Sequence, residues 1–201
     1  TCIGETVSEQ DCSHGRDAQA ASGTLTKTGT GQAGFDFTRL NADGSEYTGN
    51  GIYSQDPWSC VKDNHTGLIW EVKTPAGTGD IHDTKNTYRW GGKTALLTGK
   101  FGTVYNAWDT LVDGSNNASL CGFNDWRIPS REELRSIVNY GKTNPAIDQN
   151  LFWNSVSSYY WSASPGAGNS DDALGVSFNY GYDVSIYRGS YLRVRLVRSG
   201  Q

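Results

Sequence analysis

The chain has 201 residues and a net charge of −4, with 36% hydrophobic and 12% aromatic residues. That length suffices for a sizeable core, and the aromatic content excludes a disordered chain. No apolar run is long enough to span a membrane, no heptad or Gly-X-Y repeat occurs, and the acidic balance argues against a general nucleic-acid binder.

Residues 1–57 are polar and rich in Gly and Thr, and read as an N-terminal extension with early strands. Within them, Gly34 to Leu40 alternates like a half-buried strand, and Asn41-Ala42-Asp43-Gly44 reads as a turn. Residues 58–201 read as the core of a single domain. Thr66-Gly67-Leu68-Ile69-Trp70-Glu71-Val72 is expected to be a buried strand, and 74–100 a long loop region. Val104, Trp108, Leu111 and Val112 recur at helical spacing, which predicts a helix over 102–113. Ser130-Arg131-Glu132-Glu133 has the form of a capping box. It predicts a helix from Ser130 to about residue 143, before Asn144-Pro145. From 158 onward the period changes to two, with strands expected at 159–162, 173–178, 181–188 and 192–198. The pattern is α+β, with two helices between strand-rich ends.

Cys2, Cys12, Cys60 and Cys121 allow three pairings, and none has zinc-like spacing with a histidine. The favoured pairs are Cys2–Cys12 and Cys60–Cys121, one small loop and one long staple. Disulfides imply an oxidising compartment, with the chain secreted or displayed on an outer surface. A start at Thr1, without Met or a signal peptide, reads as a mature fragment, so any lipid or other anchor would lie in a segment outside this chain.

Four ordered blocks carry a family resemblance: Asp63-Asn64-His65-Thr66-Gly67-Leu68-Ile69-Trp70-Glu71, then Cys121-Gly122-Phe123-Asn124-Asp125-Trp126-Arg127-Ile128-Pro129, then Tyr160-Trp161-Ser162-Ala163-Ser164, and Val194-Arg195-Leu196-Val197-Arg198. Together they resemble the Lcl C-terminal domain family, the C-terminal domain of the Legionella collagen-like adhesin. The resemblance covers 58–201, and Cys12 to Ala18 extends it upstream. It implies a C-type-lectin-like fold of the formylglycine-generating-enzyme-like variant, with small antiparallel sheets, two helices and long loops. It also implies a surface protein, and the collagen-like relatives imply a homo-oligomer. Relatives include glycan-binding adhesins and receptors diversified by retroelements.

One composition feature favours the last of these. The chain holds 26 Lys, Glu, Gln and Trp residues, and none falls within 162–198. A retroelement that randomises the adenines of AAC codons produces NNC codons, which cannot encode those residues. The window is instead filled with Tyr, Asn, Asp, Ser, Gly, Arg and Leu, a composition suited to a binding surface. The expected ligand-binding positions are Gly166, Asp172, Leu174, Gly175, Ser177, Asn179, Tyr180, Tyr182, Asp183, Ser185, Tyr187, Arg188, Ser190, Leu192 and Arg193, with Tyr191 as a further aromatic anchor. The partner would be a protein or glycan ligand on another cell or surface.

The rival reading is a glycan-binding adhesin for sulfated polysaccharides, held by Arg188, Arg193, Arg195 and Arg198. No cofactor is expected. Calcium is a secondary reading, on Asp80, Asp83 and Asn86 or on Asp171 and Asp172, although neither set matches an EF-hand loop. An enzyme is not expected. No Ser–His–Asp spacing or apolar carboxylate pair is present, and Cys60 and Cys121 suit a structural disulfide better than reactive thiols. His14 and His82 read as solvated loop histidines, and Trp70, Trp126 and Trp161 as core.

Overall fold

A computed structural model describes residues 15–96 and 103–200. The expected Cys2–Cys12 pair, His14 and the start of the expected 102–113 helix lie outside the described residues. The architecture is α+β. One sheet has the order β1-β2-β3-β7, formed by β1 (Phe37–Leu40), β2 (Cys60–Asp63), β3 (Ile69–Glu71) and β7 (Val197–Arg198). The second has the order β4-β5-β6, formed by β4 (Tyr159–Pro165), β5 (Asp172–Ser177) and β6 (Asp183–Tyr187). Every pairing is antiparallel. The helices are α1 (Arg16–Ala21), α2 (Asp109–Asn117) and α3 (Arg131–Ser136), with a short 3-10 turn at Leu120–Gly122.

The first sheet lies between two cores, and its alternation assigns side chains to each. Phe37, Val61, Trp70 and Val197 enter one core with Trp58, Leu134, Phe152, Tyr160 and Phe178. Leu40, Cys60 and Ile69 enter the other with Trp90, Trp108, Leu111, Trp126, Trp161, Val194 and Leu196. β1 is therefore integral to the core although it arises in the segment read as an extension. Trp70, Trp126 and Trp161 are buried as expected. Five buried indoles also anchor loops: Trp58 donates to Leu151, Trp90 to Ser162, Trp108 to Lys93, Trp126 to Leu120 and Trp161 to Tyr88, each to a backbone carbonyl at 2.8–2.9 Å.

Local chemistry explains the family blocks. In the turn between β2 and β3, Asp63 accepts from His65 N at 2.9 Å and from the Thr66 hydroxyl at 2.7 Å, and Gly67 takes a φ of +76°. In the second block Cys121 pairs with Cys60, and Arg127 makes a bidentate contact with Glu133. The capping box forms as expected: Ser130 Oγ accepts from Glu133 N, and Glu133 accepts from Ser130 N.

Three element boundaries differ from the sequence reading. α2 begins at Asp109, because Asn106 is left-handed at φ +50° and Trp108 is tied to the Lys93 carbonyl. α3 ends at Ser136, where the buried Ile137 and Val138 turn into the core and Asn139 N donates to the Ala146 carbonyl. Only Val197–Arg198 of the expected 192–198 strand is regular. The rest passes between the sheets, with Leu192 bridged to Tyr88 and Arg193 to Tyr160.

Candidate ligand-binding face

β6 is the outer strand of its sheet, paired on one side with β5. Its two ends carry aromatic clusters, separated by about 13 Å at the usual rise per residue. The first cluster sits on the β5–β6 turn, where Gly181 adopts φ +87° and is buried against Val138. A Cβ at Gly181 would lie 2.4 Å from Val138 Cγ1, so glycine allows this turn to press onto the core. Tyr180 and Tyr182 on either side project outward and stack, with centroids 6.4 Å apart and planes 12° from parallel. Tyr182 Oη lies 3.4 Å from Tyr159 Oη.

The second cluster follows the other end of β6. Tyr187 is exposed, and its hydroxyl lies 3.4 Å from that of Tyr105. The hydrogen bond and charge of Tyr105 raise the Tyr187 pKa, with Arg89 acting in the opposite sense. Tyr191 is 62% exposed, and Arg89 lies between it and Tyr105. A groove of about 580 Å³ opens here, lined by Tyr88, Arg89, Tyr105, Tyr191, Asn86 and Thr110 among others. Burial first, then the Glu71 charge, pushes the Tyr88 hydroxyl up to about 12, so this wall of the groove is neutral at physiological pH.

The expected positions divide into surface and interior. Tyr180, Tyr182, Ser185 and Tyr187 are exposed. Gly166, Asp172, Leu174, Asn179, Asp183, Ser190 and Arg193 are half-buried. Gly175, Ser177, Arg188 and Leu192 are interior, which corrects their placement on the binding face. A Cβ at Gly175 would lie 2.6 Å from the Tyr160 carbonyl oxygen. Ser177 accepts from Asn179 N at the foot of the turn, and Leu192 packs in the second core. Arg188 lies over Trp90, 4.3 Å from the ring centroid, and donates to the Asp172 carbonyl at 3.0 Å. Asp183 is engaged by Arg131 at 3.6 Å and Arg135 at 3.4 Å.

The expected arginine patch does not form on the surface. Besides the buried Arg188, Arg193 donates to the Thr84 carbonyl, Arg195 to the Glu71 carbonyl and Ser155, and Arg198 to Asp125 at 2.7 and 3.1 Å. Arg193 is half-buried and Arg195 buried, and the segment that carries them is not a regular strand.

The loop proposed for calcium spends its oxygens on its own backbone. Asp83 accepts from Gly77, Gly79 and Lys85 amides, and Asp80 accepts from His82 N and the Thr74 hydroxyl. Among the described residues no group of three or more His, Cys, Asp or Glu side chains converges on a metal position. His82 is also not a solvated loop residue: its Nδ1 lies 2.6 Å from the buried Glu71 carboxylate. Sequence reasoning missed Arg89 and Tyr105. The available signal was the run Tyr88-Arg89-Trp90, an arginine between aromatics inside a polar loop.

These features define a disulfide-stapled α+β domain with an aromatic face on one sheet edge and its neighbouring loops. The chain belongs to the Lcl C-terminal domain family, whose model matches residues 59–198. No curated protein matches the sequence. No described helix is long and apolar enough to cross a membrane.

Proposed function

We propose that this domain is a secreted or surface-displayed, adhesin-like binding module with a C-type-lectin-like fold. In this reading it holds a protein ligand on another surface through a hypervariable face and performs no catalysis. Membership in the Lcl family supports the adhesin-like role. The joining of an early hairpin and the last strand in one sheet supports the fold assignment.

The observation that carries the reading is the coincidence of two features. The segment lacking Lys, Glu, Gln and Trp is also the one that presents Tyr180, Tyr182, Ser185, Tyr187 and Tyr191 to solvent. Tyrosine supplies large, rigid contact area at low entropic cost. A retroelement writing NNC codons produces such a surface while interior positions remain under packing constraint.

Deep sequencing of the 3′ end of the gene across its source population tests this. Variation should concentrate at the exposed positions between 166 and 193 and spare Arg188, Leu192 and Val194 to Arg198. A uniform segment overturns diversification. Tyr182→Ala and Tyr187→Ala are expected to weaken a cognate ligand tenfold or more without changing Tm, as buried aromatic anchors do. The sulfated-glycan alternative loses its expected arginines to the interior, so elution from heparin at low salt is the expected outcome.

A further inference from the structure

Every arginine of this chain except Arg89 donates a hydrogen bond to a carbonyl, carboxylate or hydroxyl oxygen among the described residues. Arg89 instead meets two ring faces. Its guanidinium carbon lies 4.9 Å from the Tyr105 centroid and 5.0 Å from that of Tyr191. Its Nε is buried without a hydrogen-bond partner among the described residues. Aromatic faces hold a guanidinium by its π surface and leave the in-plane N–H fork unused, the geometry that accepts a carboxylate bidentately.

We propose that Arg89 is the anion-recognising anchor of the binding face, and that the groove beside it takes an Asp or Glu side chain of a protein partner. This rests on the protein-binding reading above and adds its chemical specificity. The groove, about 580 Å³, has room for such a side chain, with Asn86 and Thr110 offering neutral polar contacts. Tyr105 links the groove to β6 through its 3.4 Å contact with Tyr187, so the anchor adjoins the tyrosine-rich edge. A polyanionic glycan fits less well. It is best held by rows of cations, whereas one guanidinium faces this groove.

The test uses NMR of the arginine Nε–H groups of the whole domain, titrated with hexaglutamate, hexaglutamine and a heparin octasaccharide. The Arg89 resonance should shift saturably with hexaglutamate and not with hexaglutamine. Arg89→Lys should weaken the interaction about fivefold and Arg89→Gln should abolish it, with Tm unchanged in both. An unmoved Arg89 signal, an equal response to hexaglutamine, or undiminished hexaglutamate binding by Arg89→Gln overturns the proposal. A stronger response to heparin also overturns it and assigns the anion to a glycan. Failure here, together with sequence variation still mapping to Tyr180–Tyr191, removes the anchor and leaves the face. A uniform gene with a responsive Arg89 does the reverse.

Discussion

Glu71 is fully buried, and three donors converge on its carboxylate. Lys73 Nζ lies 2.8 Å from Oε1, His82 Nδ1 2.6 Å from the same oxygen, and Leu196 N donates to Oε2 at 2.8 Å. Burial alone would raise its pKa, but Lys73 and His82 outweigh it and bring the carboxyl down to about 2. A depressed carboxylate stabilises the fold above its unfolded pKa, and that contribution is lost as pH falls toward the folded value. Glu71→Gln leaves the buried Lys73 without its counter-charge and is expected to cost about 3–5 kcal/mol at neutral pH. In thermal denaturation, the Tm gap between wild type and variant should be widest above pH 5 and should narrow toward pH 2. A gap that does not change with pH would mean that Glu71 acts by shape alone. The two-residue spacing puts Glu71 and Lys73 on one face, but His82 joins them only when the 74–82 loop folds back on β3. Spacing along the chain identifies neighbours on one element and says nothing about which loop returns to it.

At the scale of elements, starts were easier to read than ends. The first residue of α3 follows from local chemistry, since the Ser130–Glu133 box satisfies amides within four residues. Ser130→Ala should therefore cost about 1 kcal/mol in chemical denaturation, by removing one arm of the box. The end of the same helix depends on tertiary demand, with Ile137 and Val138 pulled into the core after one and a half turns. Period-two alternation located β5 and β6 but did not reveal which strand lies at the edge, and that decides which side chains meet solvent. So Tyr180, Tyr182 and Tyr187 meet solvent, whereas Arg188, read as a contact residue, braces over Trp90. β2 was not read from sequence, because Cys60-Val61-Lys62-Asp63 shows no alternation of apolar and polar residues.

For the whole molecule, the Cys60–Cys121 bridge joins the first sheet to the segment between α2 and α3, across 61 residues. This pairing was chosen from sequence and is the one that forms. Closing a loop of that length removes conformational freedom from the unfolded chain worth about 4 kcal/mol on the chain-entropy model. Replacing both cysteines by alanine should lower stability by that order, seen as a drop in denaturation midpoint with a steeper slope, because the uncrosslinked unfolded chain exposes more surface. An undiminished midpoint would show that the two cores alone hold the domain together.

The strip from Leu192 to Arg198 touches both sheets: it bridges Tyr88 and Tyr160, pairs with β3 and fills both cores. On a ribosome this strip emerges after all the elements it joins. Until then β3 has an open edge, and Ile69 and Trp70 lack their partners Arg198 and Val197. The first sheet therefore closes only once this strip is available, and its long-range pairings predict slow closure.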